Sequence, residues 1–264
     1  MAIALLLALV LVLAGCTYLF ISHPWWFPAG VAADAAAIDH DFKLAFGILG
    51  ALFIAAQLLL VFFLVRAWRN RGKAGFHRGD WRMEVAWTAA VTLLFFWFHG
   101  TGGRLWRNLR LHAAPPESFE VEVTGAQFQW YFRYPGPDGK FGRTDAQKFA
   151  APEEGNPLGI DPDDAAGKDD VVSAQLVLPV NRDVSLQLRA QDVIHSLFIP
   201  AMRFKQDAVP GMTIPMHLHP TAVGTYEIAC AELCGLGHYR MRALVRVLSD
   251  ADFAAWLKAR SSQE

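Results

Sequence analysis

Five side chains in the last third of the chain offer metal-binding atoms at close spacing: His195, Cys230, Cys234, His238 and Met241, with Glu232 between the two cysteines. Thiolate, imidazole and thioether together select copper, because soft sulfur stabilises Cu(I) while imidazole tolerates Cu(II). Two cysteines with three residues between them can both point into one loop-borne site and bridge two metal ions. The histidines and the methionine then complete the terminal positions, which predicts a dinuclear centre. Zinc held by Cys2His2 is the natural competitor, but structural zinc sites rarely recruit methionine and more often use Cys-x2-Cys spacing. A mononuclear blue-copper site needs one cysteine. A Cys230–Cys234 disulfide would leave His195, His238 and Met241 without a joint purpose. The third cysteine, Cys16, lies far away in an apolar leader, so the three cysteines form no disulfide framework.

The elements that must position these groups are strands. From about Glu117 the texture alternates: Phe119, Val121 and Val123 share one face, and Phe128, Trp130, Phe132 and Tyr134 share the face of a second strand. Residues 135–139, Pro-Gly-Pro-Asp-Gly, form a turn, since Pro fixes φ and Gly accepts positive φ. Further strands are predicted over 174–180, 184–190, 194–199, 214–219, 224–229 and 241–248. Short strands at this spacing suggest a β-sandwich or barrel over 115–249, closed by a C-terminal helix and tail over 250–264. His217 and His219 alternate on a strand and read as surface or edge residues. The stretch 153–170 carries Asp161, Asp163, Asp164, Asp169 and Asp170 without the spacing of an EF-hand loop. It reads as a solvated surface loop, with a docking surface for a basic partner or a loosely held cation as the alternatives.

Composition places the rest of the chain in lipid. Of 264 residues, 53% are hydrophobic and 19% charged, which excludes disorder, and 24 Lys+Arg against 25 Asp+Glu lack the basic surplus of a nucleic-acid binder. Residues 44–65 are uncharged, and at about 1.5 Å per residue they cross a hydrocarbon core of roughly 30 Å. A second uncharged run, 85–103, is just long enough to span, with Trp81 and Trp106 as interfacial anchors. Arg66, Arg69, Arg71, Lys73, Arg78 and Arg82 lie between them, and a short basic loop stays cytoplasmic. The predicted hairpin (domain 40–104) therefore leaves everything after residue 104 outside the cell membrane. Residues 1–22 read either as a leader, in which Leu13-Ala14-Gly15-Cys16 resembles the lipobox whose cysteine is lipidated, or as an extra transmembrane helix.

With these motifs assembled, the chain resembles subunit II of the haem-copper cytochrome c oxidases over about residues 40–260. The resemblance implies a cupredoxin-like domain on the periplasmic side holding the dinuclear CuA centre. It implies that His195, Cys230, Cys234, His238 and Met241 are side-chain copper ligands and that Glu232 lends its backbone carbonyl. In the family that glutamate's carboxylate also reaches a magnesium site shared with the catalytic subunit. Glu84 looks like the glutamate at the mouth of a proton pathway into the partner subunit; the alternative is an ordinary helix N-terminal charge favoured by the helix dipole. Residues 125–130 are similar to the aromatic segment that receives electrons, with Phe128 in place of the usual tryptophan and Trp130 two residues further along. Asp192 and Asp207 are candidates to guide a cytochrome or contact the catalytic subunit. The implied function is to accept electrons from cytochrome c or an equivalent donor and pass them to haem in subunit I, where oxygen is reduced and protons are translocated. A copper chaperone, a quinol oxidase subunit and nitrous oxide reductase are the rival readings. Chaperone sites usually leave a ligand short, quinol oxidase subunits typically lack the copper ligands, and nitrous oxide reductase is soluble and much longer.

Overall fold

The structure is a computed structural model that describes residues 2–22, 28–70, 78–111, 114–150 and 154–261. The chain divides into two compact units, one of residues 1–28 and 37–108, the other of residues 29–36 and 109–264.

The first unit is helical. Helix α1 runs Ala2–Ser22, α2 Ala35–Asn70 and α3 Trp81–Arg110. α2 and α3 are long and apolar enough to cross a membrane. Both overrun the uncharged cores read from the sequence, because a helix continues into polar flanks wherever its backbone bonds can be closed. Arg66 and Arg69 lie in the last turns of α2, and Arg82 lies in the first turn of α3. Arg71 and Lys73 of the basic loop fall outside the described residues. Asp80 caps α3 by accepting the Arg82 backbone N–H at 3.0 Å, satisfying one of the donors a helix start leaves free. α1 packs on α2 through Phe20 and Phe46, whose ring centroids are 5.6 Å apart. Cys16 is exposed on α1.

The second unit is a sandwich of two five-stranded sheets, with strand orders β3-β2-β1-β5-β8 and β4-β10-β9-β6-β7. The strands are β1 Phe119–Ala126, β2 Gln129–Tyr134, β3 Val171–Ser173, β4 Leu176–Pro179, β5 Val184–Ala190, β6 His195–Ile199, β7 Phe204–Ala208, β8 Ile214–Leu218, β9 Gly224–Cys230 and β10 Arg242–Leu248. β1 pairs in parallel with β5, and β10 with β4; the other pairings are antiparallel. Val121, Val123, Phe132, Leu186, Leu188, Leu197, Ile199, Ile228, Val245 and Val247 are fully buried between the sheets. Each such side chain contributes about 1.5–3 kcal/mol by leaving water. Helix α4, Asp250–Ser261, lies against this core through Phe253, whose ring meets Phe119 edge-on at 5.1 Å.

The structure corrects several expectations. β2 begins at Gln129, so Phe128 belongs to the preceding turn and shares no strand face with Trp130. The outward face of β2 is also covered: Arg133 is 1% exposed. β7, Phe-Lys-Gln-Asp-Ala, has no apolar alternation to betray it, since it is a sheet edge with one buried end at Phe204 and another at Ala208. β3 follows directly on the aspartates of 161–170, and that acidic stretch is far from freely solvated. Lys148 and Arg143 pair with Asp161, Arg143 also pairs with Asp164, and Asp170 pairs with buried Arg133.

Candidate metal centre

Two loops at one end of the sandwich, β5–β6 and β9–β10, bring together a cluster of sulfur and imidazole atoms. His195 opens β6, Cys230 closes β9, and Met241 immediately precedes β10. Strand pairing sets their approach: Leu197 of β6 is opposite Cys230, and the Cys230 backbone N–H donates to the Met241 carbonyl at 3.1 Å. Between them the chain makes a tight excursion in which Ala231 N–H donates to Ser196 O at 3.0 Å and Met241 N–H to His238 O at 3.1 Å. Gly235 adopts φ +134°, a region side-chain-bearing residues rarely occupy, which lets the loop reverse after Cys234.

The five predicted side chains are together. The two sulfurs, Cys230 Sγ and Cys234 Sγ, are 3.9 Å apart. His195 Nδ1 is 4.0 Å from Cys230 Sγ, His238 Nδ1 is 3.6 Å from Cys234 Sγ, and Met241 Sδ is 3.7 Å from Cys234 Sγ. The Glu232 carbonyl oxygen is 3.2 Å from Cys230 Sγ, and its carboxylate points to the exposed side of the loop. His195 and Met241 are fully buried and both cysteines nearly so, while His238 is half-buried. His195, Cys230 and Cys234 can each present a ligand atom to a common ion. Soft sulfur beside imidazole, shielded from water, is a donor set that fits copper.

The electrostatics of the metal-free pair are asymmetric. Burial pushes the Cys230 thiol up, but His195, the Ser196 and Glu232 backbone and His238 together outweigh it and bring it down to about 6. Cys234 is pushed up to about 11, first by burial and then by the neighbouring Cys230 charge. Burial disfavours the His195 cation, yet Cys230 and Asp192 together raise its pKa. At neutral pH the negative charge of the pair therefore rests on Cys230.

His195 Nε2 lies 2.8 Å from Asp192 Oδ1, leaving Nδ1 facing the sulfur. Asp192 also accepts the backbone N–H groups of Gln127 and Val193, both at 2.7 Å, so this carboxylate is engaged with its own chain rather than held free for a partner. Sequence reasoning placed Asp192 near the motif but missed this partner; the three-residue spacing from His195 was its only signal. Asp207 is half-buried on β7, opposite Ser196. Trp130 is fully buried and meets the His195 ring edge-on at 5.9 Å, so it is a wall of the centre and not part of an outer surface. Phe128, 37% exposed, lies over the cysteine loop: a Cβ on Gly237 would come within 2.4 Å of its ring. Gly125 is similarly required, since its Cβ would sit 3.0 Å from both His195 and Trp130.

Away from this centre, Glu84 lies in the first turn of α3, its backbone N–H donating to Asp80 O at 3.1 Å. His217 and His219 both bond the same oxygen of Asp183, at 2.8 and 2.9 Å. The edge position read from the sequence holds, with a carboxylate between the rings that the sequence did not reveal.

Comparison with known proteins places the chain in a family. The family profile described as cytochrome c oxidase subunit II, periplasmic domain, matches residues 120–248. The alternative cytochrome c oxidase subunit 2 of Bradyrhizobium diazoefficiens is 35% identical, with 98% of this chain and 91% of that protein covered. The cytochrome c oxidase subunit 2 of Thermostichus vulcanus is 30% identical, over 89% of this chain and 78% of that protein. Among solved structures, the periplasmic domain of subunit II of cytochrome oxidase from Bradyrhizobium japonicum is 29% identical. It covers 57% of this chain and 98% of its own, with a TM-score of 0.42. With an apolar helical pair, a ten-stranded sandwich and a sulfur-imidazole cluster at its loop end, the chain belongs to the cytochrome c oxidase subunit II family.

Proposed function

We propose that this chain is the electron-accepting subunit of a membrane-bound haem-copper oxidase, holding a dinuclear CuA centre. The observation that carries the reading is the pair of cysteine sulfurs 3.9 Å apart, each with its own imidazole and with a thioether beside one of them. Cys230 and Cys234 would hold two copper ions together with His195, His238, Met241 and the Glu232 carbonyl. Bound copper supplies a one-electron relay between a cytochrome c or equivalent donor and the haem of subunit I. The chain's own contribution is to keep the ligands still. His195 is fixed by Asp192 and Trp130, Cys230 and Met241 are joined through backbone hydrogen bonds, and the buried walls keep water from the sulfurs.

Phe128 is an exposed aromatic ring packed on Gly235 and Gly237 of the cysteine loop, and we assign it as the electron-receiving side chain. Trp130 acts behind it against His195. The exposed Glu232 carboxylate would take part in a magnesium site shared with the catalytic subunit, and Glu84 would admit protons at the cytoplasmic end of α3. The two apolar helices anchor the chain in the cell membrane, with the β-domain on the periplasmic side. Cys16 is the candidate lipidation site if residues 1–22 are processed as a leader.

Copper analysis with EPR on the full-length chain in detergent tests the central assignment. Two coppers per chain and a hyperfine pattern from one electron shared over both nuclei are expected. One copper per chain, a localised electron or preferential zinc uptake would overturn it.

A further inference from the structure

Gln127 offers no soft ligand atom, yet it is bonded toward both sides of the cluster. Its side-chain Nε2 donates to the carbonyl oxygen of Cys234 at 2.6 Å. Its backbone N–H donates to Asp192 Oδ2 at 2.7 Å, and the other oxygen of that carboxylate meets His195 Nε2 at 2.8 Å. The next residue, Phe128, rests its ring on Gly235 and Gly237. The turn between β1 and β2 therefore grips the cysteine loop at Cys234, Gly235 and Gly237 and reaches His195 at one remove.

The loop needs such a grip. Among the described residues, no backbone N–H of residues 232–237 donates to another backbone group; the loop is pinned at its ends, by Ala231 to Ser196 and by His238 to Gly235. A segment with few internal hydrogen bonds opens at low cost. A one-electron relay requires ligand positions that change little between redox states, and orientation from outside the ligand set supplies that. Leu233 and Leu236 are exposed and provide no inward packing, so the middle of the loop is held from the Gln127 side.

We infer that Gln127 is a positioning residue: its amide, together with the Asp192 carboxylate it bridges to, holds the Cys234 and His195 sides of the centre in register and keeps the Phe128 ring on the loop. The inference rests on the copper reading for its redox consequence, but the brace itself is a property of the metal-free chain.

The test uses the full-length chain in detergent with Gln127→Glu, which keeps the shape but places a carboxylate against a carbonyl, and Gln127→Ala, which removes the contact. In the metal-free chain, the amides of Ala231, His238 and Met241 should exchange on the order of tenfold faster in both variants, while those of β1, β5 and β10 stay unchanged. In the copper-loaded chain both variants should shift the midpoint potential and make the hyperfine coupling to the two nuclei unequal. Unchanged exchange in both variants overturns the brace, whether or not they load copper. Accelerated exchange with wild-type potential and hyperfine pattern overturns the positioning role. If the wild-type chain binds a single copper, the dinuclear assignment fails, and the exchange result still decides the brace.

Discussion

Two loops of the β-domain are equally dense in polar chemistry, and they resolve it in opposite ways. In the acidic stretch 154–170 the charged groups find partners within the chain. Asp161 binds Lys148 and Arg143, Asp164 binds Arg143 and caps the short turn at Ala166, and Asp170 binds Arg133. In the stretch 230–241 the cysteine, histidine and methionine atoms instead converge on one another at 3.6–3.9 Å. A loop whose charges are matched by opposite charges is architecture; a loop whose sulfur and imidazole atoms converge has the donor set of a metal site. The buried charge pair in the first loop is expensive to break.

The sharpest break of that contrast is Cys234→Ser. It should abolish the shared-electron EPR signal and lower the copper content measured by elemental analysis, while the metal-free fold, followed by denaturant unfolding, loses about 1–3 kcal/mol for the hydroxyl placed in a nearly buried site. Arg133→Met tests the other loop. It leaves the buried carboxylates of Glu122 and Asp170 without their main cation and should cost about 3–5 kcal/mol in the same unfolding measurement. Arg133 contacts no residue of the sulfur cluster, so the copper spectrum should be unchanged; a spectrum lost along with stability would show that the two loops are not independent.

Next comes pH, in the metal-free chain. With Cys230 down to about 6 and Cys234 up to about 11, only Cys230 is largely thiolate at neutral pH. The thiolate population favours Cys230, and its lower intrinsic nucleophilicity takes back part of that advantage. Alkylation of the metal-free chain followed by mass spectrometry should therefore label Cys230 in preference to Cys234 at pH 7. As pH falls below about 6, Cys230 gains its proton and the labelling rate should drop toward tenfold per unit. Equal labelling of both thiols at pH 7 would contradict the asymmetry. The smallest effect is expected at Arg143→Ala. Its partners Asp161 and Asp164 are largely hidden, but the Arg143 side chain is itself 74% exposed, so stability should change by no more than about 1 kcal/mol.

The sites of these substitutions differ in how far they can be read from residue types alone. Cys230, Cys234, His238 and Met241 lie within twelve positions, so their chemistry is visible as a spacing, and His195 joins them because few other residue types complement a cysteine pair. The strands are visible where one face is buried and the other wet, as in Val121 and Val123 of β1. Legibility fails where both faces are covered. Arg133 sits in β2 between Phe132 and Tyr134 as an expected outward residue, and it is buried because the 135–170 loop folds back over it. Trp130 fails differently: it shares the inward face of Phe132 and Tyr134, so its ring lies in the core against His195 and away from the surface. β7 was missed because Lys205, Gln206 and Asp207 give an edge strand no apolar rhythm.

Residue type and spacing along the chain were enough to reveal a cluster of soft donor residues, an apolar helical pair and an alternating β-domain, because ligand chemistry and hydrophobic periodicity are local properties. Tertiary structure alone decided which groups serve that centre without binding metal. Gln127 is 107 positions from Cys234, Asp192 is 65 positions from Gln127, and Phe128 meets Gly237 only once two strands have turned back on each other. Hydrogen bonds and ring contacts of that separation leave no periodic trace in a sequence, since they depend on how the sheets bring distant turns together.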